Sequence, residues 1–180
     1  MRAGRIGAWI SCIAVIFFMT ACEPSGFAWA KKGSQPKEKE ALTELVGLVF
    51  RVSDGDTLRL RDARGEEWRV RLHGIDSPER EQEMGREAGI ELAKLVKNKN
   101  VRVMVVDTDK FGRVVGRIYV GKTDVNCEIV RLGYAWHYVA FAPNDKELSE
   151  AEAEARREKR GIWSKPNPIP PWTFRKMKAK

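Results

Sequence analysis

The sequence predicts an α+β fold that is mainly β, a five-stranded barrel of the OB type with three α-helices. Between residues 45 and 120, short segments rich in Val, Leu and Ile are separated by Gly-containing turns. Helical periodicity occurs once between the third and fourth of these segments and twice after the fifth. Five short strands with interposed and trailing helices are typical of a small closed barrel.

Alternation with a period of two predicts the strands. Around the third strand, Trp68, Val70 and Leu72 alternate with basic residues, which indicates one apolar and one basic face. The dipeptide Asp54-Gly55 predicts a two-residue hairpin between the first two strands. The predicted strands are residues 45–52, 57–60, 68–72, 101–106 and 114–120.

Helical spacing and capping residues predict the helices. In residues 82–97, apolar residues recur at intervals of three and four. Residues 124–132 form the second predicted helix, with Asp124 as N-cap and Gly133 just after its end. The third predicted helix covers residues 145–160.

Residues 1–30 are interpreted as an export signal. Two arginines precede an apolar run over residues 6–19, which is short for a membrane-spanning helix, although an uncut membrane anchor is the alternative. Residues 19–22 resemble a bacterial lipobox, which would attach a lipid to Cys22, whereas residues 28–30 form an A-x-A cleavage site. Either route predicts a secreted or extracytoplasmic protein, as a free chain or as a membrane-anchored lipoprotein.

The rest of the chain divides into a linker (residues 31–43), a folded domain (44–164) and a basic, proline-rich tail (165–180) that is expected to be extended or disordered. Cys127 is the one cysteine after residue 30, so the domain cannot hold an internal disulfide. With 33 Lys and Arg against 25 Asp and Glu, the net charge is +8, which favours a polyanionic partner.

Five charged residues stand at predicted turns or strand ends: Asp56, Arg71, Asp76, Glu79 and Arg113. Carboxylates together with a backbone carbonyl can hold a hard cation such as Ca²⁺, and a further carboxylate can take a proton from water. Two guanidinium groups can bind a phosphate and offset the charge that develops on its oxygens. The combination suits hydrolysis of a phosphodiester.

Each of these residues also has a structural interpretation. Asp56 could belong to a tight turn, and the spacing of Asp76 and Glu79 matches a helix capping box. Arg71 and Arg113 could belong to solvated surfaces. The chain has two histidines, His73 and His137, so a His-rich metal site is excluded.

Five blocks, taken in order, resemble the staphylococcal nuclease (thermonuclease) family. The second block reads Arg-Leu-His-Gly-Ile-Asp-Ser-Pro-Glu over residues 71–79, and the third reads Asp-Lys-Phe-Gly-Arg over residues 109–113. The other three blocks are residues 52–57, 126–135 and 153–164. Phe111 replaces a tyrosine that many members carry, and the aromatic segment 134–141 cannot be matched to the family residue by residue.

The resemblance implies the roles of the site residues. The expected Ca²⁺ ligands are the side chains of Asp56 and Asp76 and the backbone carbonyl of Ser77. Glu79 is expected to act as general base on the attacking water, or to orient it. Arg71 and Arg113 are expected to bind the scissile phosphate.

The resemblance also implies an endonuclease that cleaves DNA, RNA or both and leaves 3′-phosphate ends, and we expect the protein to be a monomer. A barrel that binds nucleic acid without cutting it is one alternative. A surface protein that uses its basic face on anionic polymers is another. Neither alternative requires Glu79 together with Arg71 and Arg113, so the retained set favours catalysis.

Overall fold

The computed structural model describes residues 42–179. The predicted export signal, the possible lipid anchor at Cys22 and most of the predicted linker lie outside this range. None of the helices in the described range is both long and apolar enough to cross a membrane.

The described residues form a closed five-stranded barrel, as predicted, with helices around it. Strands pair in the order β3-β2-β1-β5-β6, and a parallel pairing of β3 with β6 closes the barrel. The strands are β1 (Glu44–Val52), β2 (Thr57–Asp62), β3 (Glu67–Leu72), β4 (Ile75–Asp76), β5 (Asn100–Thr108), β6 (Val114–Val120), β7 (Thr123–Asp124) and β8 (Trp136–His137). The helices are α1 (Gly85–Val96), α2 (Val125–Arg131), α3 (Lys146–Arg157) and α4 (Pro171–Lys178), and Gly161–Ser164 forms a 3-10 turn.

The core lies inside the barrel and under α1 and α2. Alternate side chains of each strand point inward, and Leu58, Val70 and Ile118 have no exposed surface. Leu92 of α1 and Ile129 of α2 are buried against them. Burying a side chain of this size contributes about 1.5–3 kcal/mol relative to leaving it exposed, so this core stabilises the barrel that carries the residues at its rim.

The connection between β1 and β2 differs from the predicted two-residue turn. Ser53 N–H donates to the carbonyl of Thr57 at 2.8 Å, so residues 54–56 are looped out between them. The Asp54 side chain accepts the Asp56 N–H at 3.1 Å, which stabilises the longer loop. The hairpin is confirmed, but its connection is longer and places Asp56 at the barrel rim.

The prediction of three helices and an extended or disordered tail is wrong in one respect, because α4 forms within the tail. Its prolines precede or begin the helix, and Pro171 stands in the first turn, where proline is tolerated and its fixed φ suits a helix. The ring of Trp172 then stacks on Tyr138 with centroids 5.1 Å apart. The prolines of the tail therefore mark the start of this helix and do not interrupt it.

Candidate active site

The two predicted metal-ligating carboxylates meet across Arg71. The β2–β3 register pairs Thr57 with Arg71, which places the arginine beside Asp56. Arg71 Nη1 donates to Asp56 Oδ1 and Nη2 donates to Asp76 Oδ1, both at 2.9 Å. Asp76 lies in β4, a two-residue strand that pairs with β8. Residues 20 positions apart in the chain thus share one guanidinium.

Asp56 and Ser77 are held against each other. The Ser77 N–H donates to Asp56 Oδ2 at 3.2 Å, and the Thr57 hydroxyl donates to Asp56 Oδ1 at 2.9 Å. A Cβ on Gly55 would lie 2.7 Å from the Ser77 Cβ, so a glycine is needed for this close approach. Asp56, Asp76 and Ser77 are each at most 5% exposed.

Glu79 lies in the loop between β4 and α1 and does not cap a helix. Helix α1 begins at Gly85, and its N-cap, Met84, makes no side-chain capping bond. The capping-box interpretation of Asp76 and Glu79 is therefore wrong. The Glu79 N–H donates to Gln82 Oε1 at 2.7 Å, and a Cβ on Gly85 would lie 1.9 Å from the Glu79 carbonyl oxygen. The loop is folded tightly onto the start of α1.

Arg113 follows a turn organised by Asp109. The Asp109 carboxylate accepts N–H bonds from Phe111 and Arg113 and also accepts Arg113 Nε at 2.7 Å. Gly112 has φ +72°, which the turn requires. This arrangement fixes the base of the Arg113 side chain at the rim of the barrel.

All six predicted site residues line one cleft of about 360 Å³. Those residues are Asp56, Arg71, Asp76, Ser77, Glu79 and Arg113. A second cleft, of about 730 Å³, is lined by Arg71 and Arg113 together with Phe111, Tyr138 and Phe141. Phe111 and Phe141 are largely exposed, so flat aromatic surface lies beside the first cleft.

Arg175 of α4 is a site residue that the sequence analysis missed. Its Nη2 donates to Asp76 Oδ2 at 2.7 Å, and its Nη1 donates to Glu79 Oε1 at 2.7 Å. It lies 96 residues after Glu79 in a tail with several other basic residues. No local pattern distinguishes it from them, so only the docking of α4 identifies it.

The cleft brings four carboxylates together with four arginines. Burial, aided by the charge of Asp56, raises the pKa of Asp54 to about 6. Burial also raises the pKa of Asp76, although the hydrogen bond from Arg175 and the charge of Arg71 oppose this shift. Burial alone would lower the pKa of Arg71, but the charges of Asp56 and Asp76 raise it. A bound cation would offset the repulsion between the carboxylates of the cleft.

A second acidic group is present elsewhere in the described part of the chain. Donor atoms of Asp124, Cys127 and Glu147 all lie within 4.8 Å of one another, the one such group of three or more acidic, Cys or His side chains among residues 42–179. Arg117 already fills it, with Nε 2.6 Å from Asp124 Oδ2 and Nη2 2.7 Å from Glu147 Oε2. Burial raises the pKa of Cys127 to about 11, so the thiol is protonated and is a poor ligand.

Comparison with known proteins places this architecture in a family. The model of the family described as staphylococcal nuclease homologue matches residues 69–165, more than half of the chain. An uncharacterized endonuclease of Escherichia coli is 40% identical over 136 residues, covering 75% of this chain and 88% of that protein. The chain belongs to the staphylococcal nuclease homologue family.

Two further relatives show how widely this nuclease family is distributed. The micrococcal nuclease of Shigella flexneri is 37% identical over 146 residues, covering 76% of this chain and 83% of its own. The staphylococcal-like nuclease CAN1 of Arabidopsis thaliana is 39% identical over 156 residues, which is 83% of this chain and 47% of the plant protein. The region matched by the family model includes Arg71, Asp76, Glu79 and Arg113, and it ends before α4.

Proposed function

We propose that this chain is a calcium-dependent nuclease that cleaves DNA, RNA or both and leaves 3′-phosphate ends. As a member of the staphylococcal nuclease homologue family, the chain is a hydrolase that cleaves phosphodiester bonds. The observation that carries the finer proposal is the cleft in which Asp56, Asp76, Ser77, Glu79, Arg71 and Arg113 converge. The residue types match the needs of the reaction, and none of the three acids caps a helix in the described range.

Asp56, Asp76 and the backbone carbonyl of Ser77 would hold the cation. All three are oxygen donors, which suit Ca²⁺, and the two carboxylates are buried. Each carboxylate oxygen has two lone pairs, so the hydrogen bonds from Arg71 do not exhaust their capacity. When bound, the ion supplies positive charge beside the scissile phosphate.

The chain's own residues account for the remaining chemistry. Glu79, half-buried on the cleft wall, is placed to take a proton from water or to orient it. The water oxygen forms a bond to phosphorus, the bond from phosphorus to the 5′-oxygen breaks, and that oxygen takes up a proton. The phosphate therefore stays on the 3′ side. Arg71 has five N–H donors, and the two that bond Asp56 and Asp76 leave others for a phosphate oxygen. Arg113, which follows the turn between β5 and β6, lines the same cleft.

The aromatic cleft and the charge of the chain support a nucleic acid substrate. Bases of single-stranded DNA or RNA can stack on exposed rings such as Phe111 and Phe141, and stacking tolerates any base. The net charge of +8 favours association with a polyanion. Contacts to the backbone through Arg71 and Arg113 would not distinguish DNA from RNA.

We further propose that the protein is exported, which the pattern of residues 1–30 supports, and that it is a monomer. Extracellular calcium is abundant enough to fill an oxygen site of modest affinity. Mass spectrometry of the N-terminus from the native host distinguishes the routes. A lipid on Cys22 indicates a lipoprotein, and an N-terminus at Lys31 indicates ordinary signal cleavage. An intact Met1 in a cytosolic fraction would contradict export.

Cleavage assays decide the main proposal. The purified protein is incubated with single-stranded DNA or RNA, in Ca²⁺ and then in excess chelator. We expect cleavage in Ca²⁺ and none in excess chelator. The 3′ ends of the products should block a polymerase until a phosphatase removes the 3′-phosphate. Binding without cleavage in Ca²⁺ would instead support the non-catalytic barrel.

Variants of the cleft residues sharpen the same assay. Glu79→Gln and Arg113→Ala should each lose about 10²–10³-fold in rate with little change in fold. Arg69→Ala is a matched control, because Arg69 lies on the same strand as Arg71 but is exposed and does not line the cleft. It should retain near wild-type activity.

A further inference from the structure

Helix α4 packs against the elements that carry the catalytic carboxylates. The Trp172 ring stacks on Tyr138 and meets the edge of Trp136, with ring centroids 6.4 Å apart. The Gln82 side-chain amide donates to the Ile169 carbonyl at 3.0 Å, and Lys178 forms an ion pair with Glu81. Glu81 and Gln82 belong to the loop that carries Glu79. The helix is therefore fixed to that loop at several points.

This docking directs Arg175 onto two carboxylates at once. Its Nη2 donates to Asp76 Oδ2 at 2.7 Å, while its Nη1 donates to Glu79 Oε1 at 2.7 Å and to Asp76 Oδ1 at 3.3 Å. The planar guanidinium presents its donors in a rigid fork, so it sets the separation of the two acids as well as their charge balance.

We infer that Arg175 is a positioning residue that holds the Glu79 carboxylate beside Asp76 in the orientation needed for attack by water. The inference rests on the proposed nuclease function. The Glu79 side chain is 38% exposed, whereas that of Asp76 is 1% exposed. Two like charges repel, so without the guanidinium the more exposed Glu79 would rotate toward solvent.

Arg175 should affect metal binding and catalysis in opposite directions. Its positive charge lies on Asp76, a proposed ligand, and therefore disfavours a second cation there. The same contact holds Glu79 for catalysis. If Arg175 only held α4 in place, its removal would weaken both Ca²⁺ binding and catalysis. If Arg175 inhibited the site, its presence would weaken both. The opposed pair of effects is specific to positioning.

The experiment compares the full chain with Arg175→Ala, Arg175→Lys and Lys178→Ala. Lys178→Ala is the matched control, because it removes a cation that ties α4 to the same loop but does not contact Asp76 or Glu79. Calorimetric titration with Ca²⁺ alone measures metal affinity. Steady-state cleavage of a single-stranded DNA oligonucleotide at saturating Ca²⁺ measures kcat and KM.

For Arg175→Ala we expect kcat to fall about 10- to 100-fold, since a displacement near 1 Å at a reacting group has an effect of this size. KM should change by less than about threefold, because ground-state binding is not the target of the change. The Ca²⁺ dissociation constant should decrease about three- to tenfold. Arg175→Lys should restore the weaker Ca²⁺ affinity but only part of kcat, because lysine supplies the charge without the fork.

Other results would overturn the inference. Faster cleavage by Arg175→Ala would mean that α4 inhibits the site. If Arg175→Ala and Lys178→Ala both bind Ca²⁺ more weakly and cleave more slowly, then α4 only stabilises the fold around the site. An unchanged kcat in Arg175→Ala would mean that Glu79 does not need Arg175 to hold its carboxylate in position. If the wild type and Lys178→Ala both fail to cleave DNA or RNA, the proposed function itself fails, and the role assigned to Arg175 fails with it.

Discussion

Two groups of carboxylates in this protein are built around arginine, and they differ in what else the carboxylates do. The Arg117 cluster consists of Arg117, Asp124, Asp145 and Glu147. The cleft cluster consists of Asp56, Asp76, Glu79, Arg71 and Arg175. Both contain three acids and both border a cleft, but the cleft cluster shares its cleft with Arg113 and Ser77.

In the Arg117 cluster the fold already accounts for the two aspartates. Asp124 Oδ1 accepts the Cys127 N–H at 3.0 Å and caps α2, and Asp145 Oδ1 accepts the Leu148 N–H at 3.0 Å and caps α3. Their remaining oxygens bond Arg117. In the cleft cluster, Asp76 and Glu79 cap no described helix. Arginines pair with the carboxylates of both clusters, so helix capping is what distinguishes the aspartates of the Arg117 cluster from the acids of the cleft cluster.

The largest expected effect comes from exchanging arginine for lysine in each cluster. Arg71→Lys should lower the cleavage rate about 10²-fold or more, because an ammonium cannot bridge Asp56 and Asp76 and also bind a phosphate. Arg117→Lys should leave the rate of the folded protein unchanged. Instead it should lower the free energy of unfolding by about 1–2 kcal/mol through lost charge-assisted hydrogen bonds.

Cleavage kinetics and urea unfolding of the two variants provide the measurements. If Arg117→Lys slowed cleavage as much as Arg71→Lys at a temperature where both variants are folded, the assignment of catalysis to the cleft cluster alone would be wrong. Circular dichroism at the assay temperature controls for that fold.

Calcium should stabilise the protein through the cleft cluster and not through the Arg117 cluster. At a free Ca²⁺ concentration about 100 times the dissociation constant, the free energy of unfolding should rise by about 2.7 kcal/mol. Asp76→Asn should abolish most of this gain, whereas Glu147→Gln should preserve it because Arg117 occupies the position of a cation. Thermal unfolding with Ca²⁺ and with chelator measures the gain, and the reverse result would assign the metal to the Arg117 cluster.

The smallest expected effect separates capping from ion pairing at Asp124. Asparagine is as good an N-cap as aspartate, so Asp124→Asn should lose only the pairing with Arg117. Asp124→Ala should lose the cap as well and be about 1 kcal/mol less stable than Asp124→Asn. Equal stability of the two variants, measured by urea unfolding, would show that the cap of α2 contributes nothing.

Local patterns in the sequence were sufficient for most of the fold. Alternation in β3 follows from the pleat of a strand with one buried face, and Val70 and Leu72 are buried as predicted. Asp124 and Asp145 cap α2 and α3 because a short acidic side chain reaches the free N–H groups of a first turn. Such patterns are detectable because cause and effect lie within a few residues.

Features that join distant parts of the chain could not be predicted in this way. The sequence predicted a barrel but not that a parallel pairing of β3 with β6 closes it, because that pairing depends on the summed twist of the strands. The two-residue hairpin prediction failed because the Asp54 side chain stabilises a longer loop. The tail was expected to be extended or disordered, yet it forms α4, whose Trp172 stacks on Tyr138 in the loop after β8.

By itself, the sequence predicted the five barrel strands, the cap of α2 and six candidate site residues whose order matches a known family. Only the tertiary structure decided that Asp76 and Glu79 line a cleft and do not cap a helix. It also decided that Arg175 faces Asp76 and Glu79. The physical reason is that charge pairing depends on distance in space, and a tail arginine looks the same in sequence whether it faces solvent or a buried carboxylate.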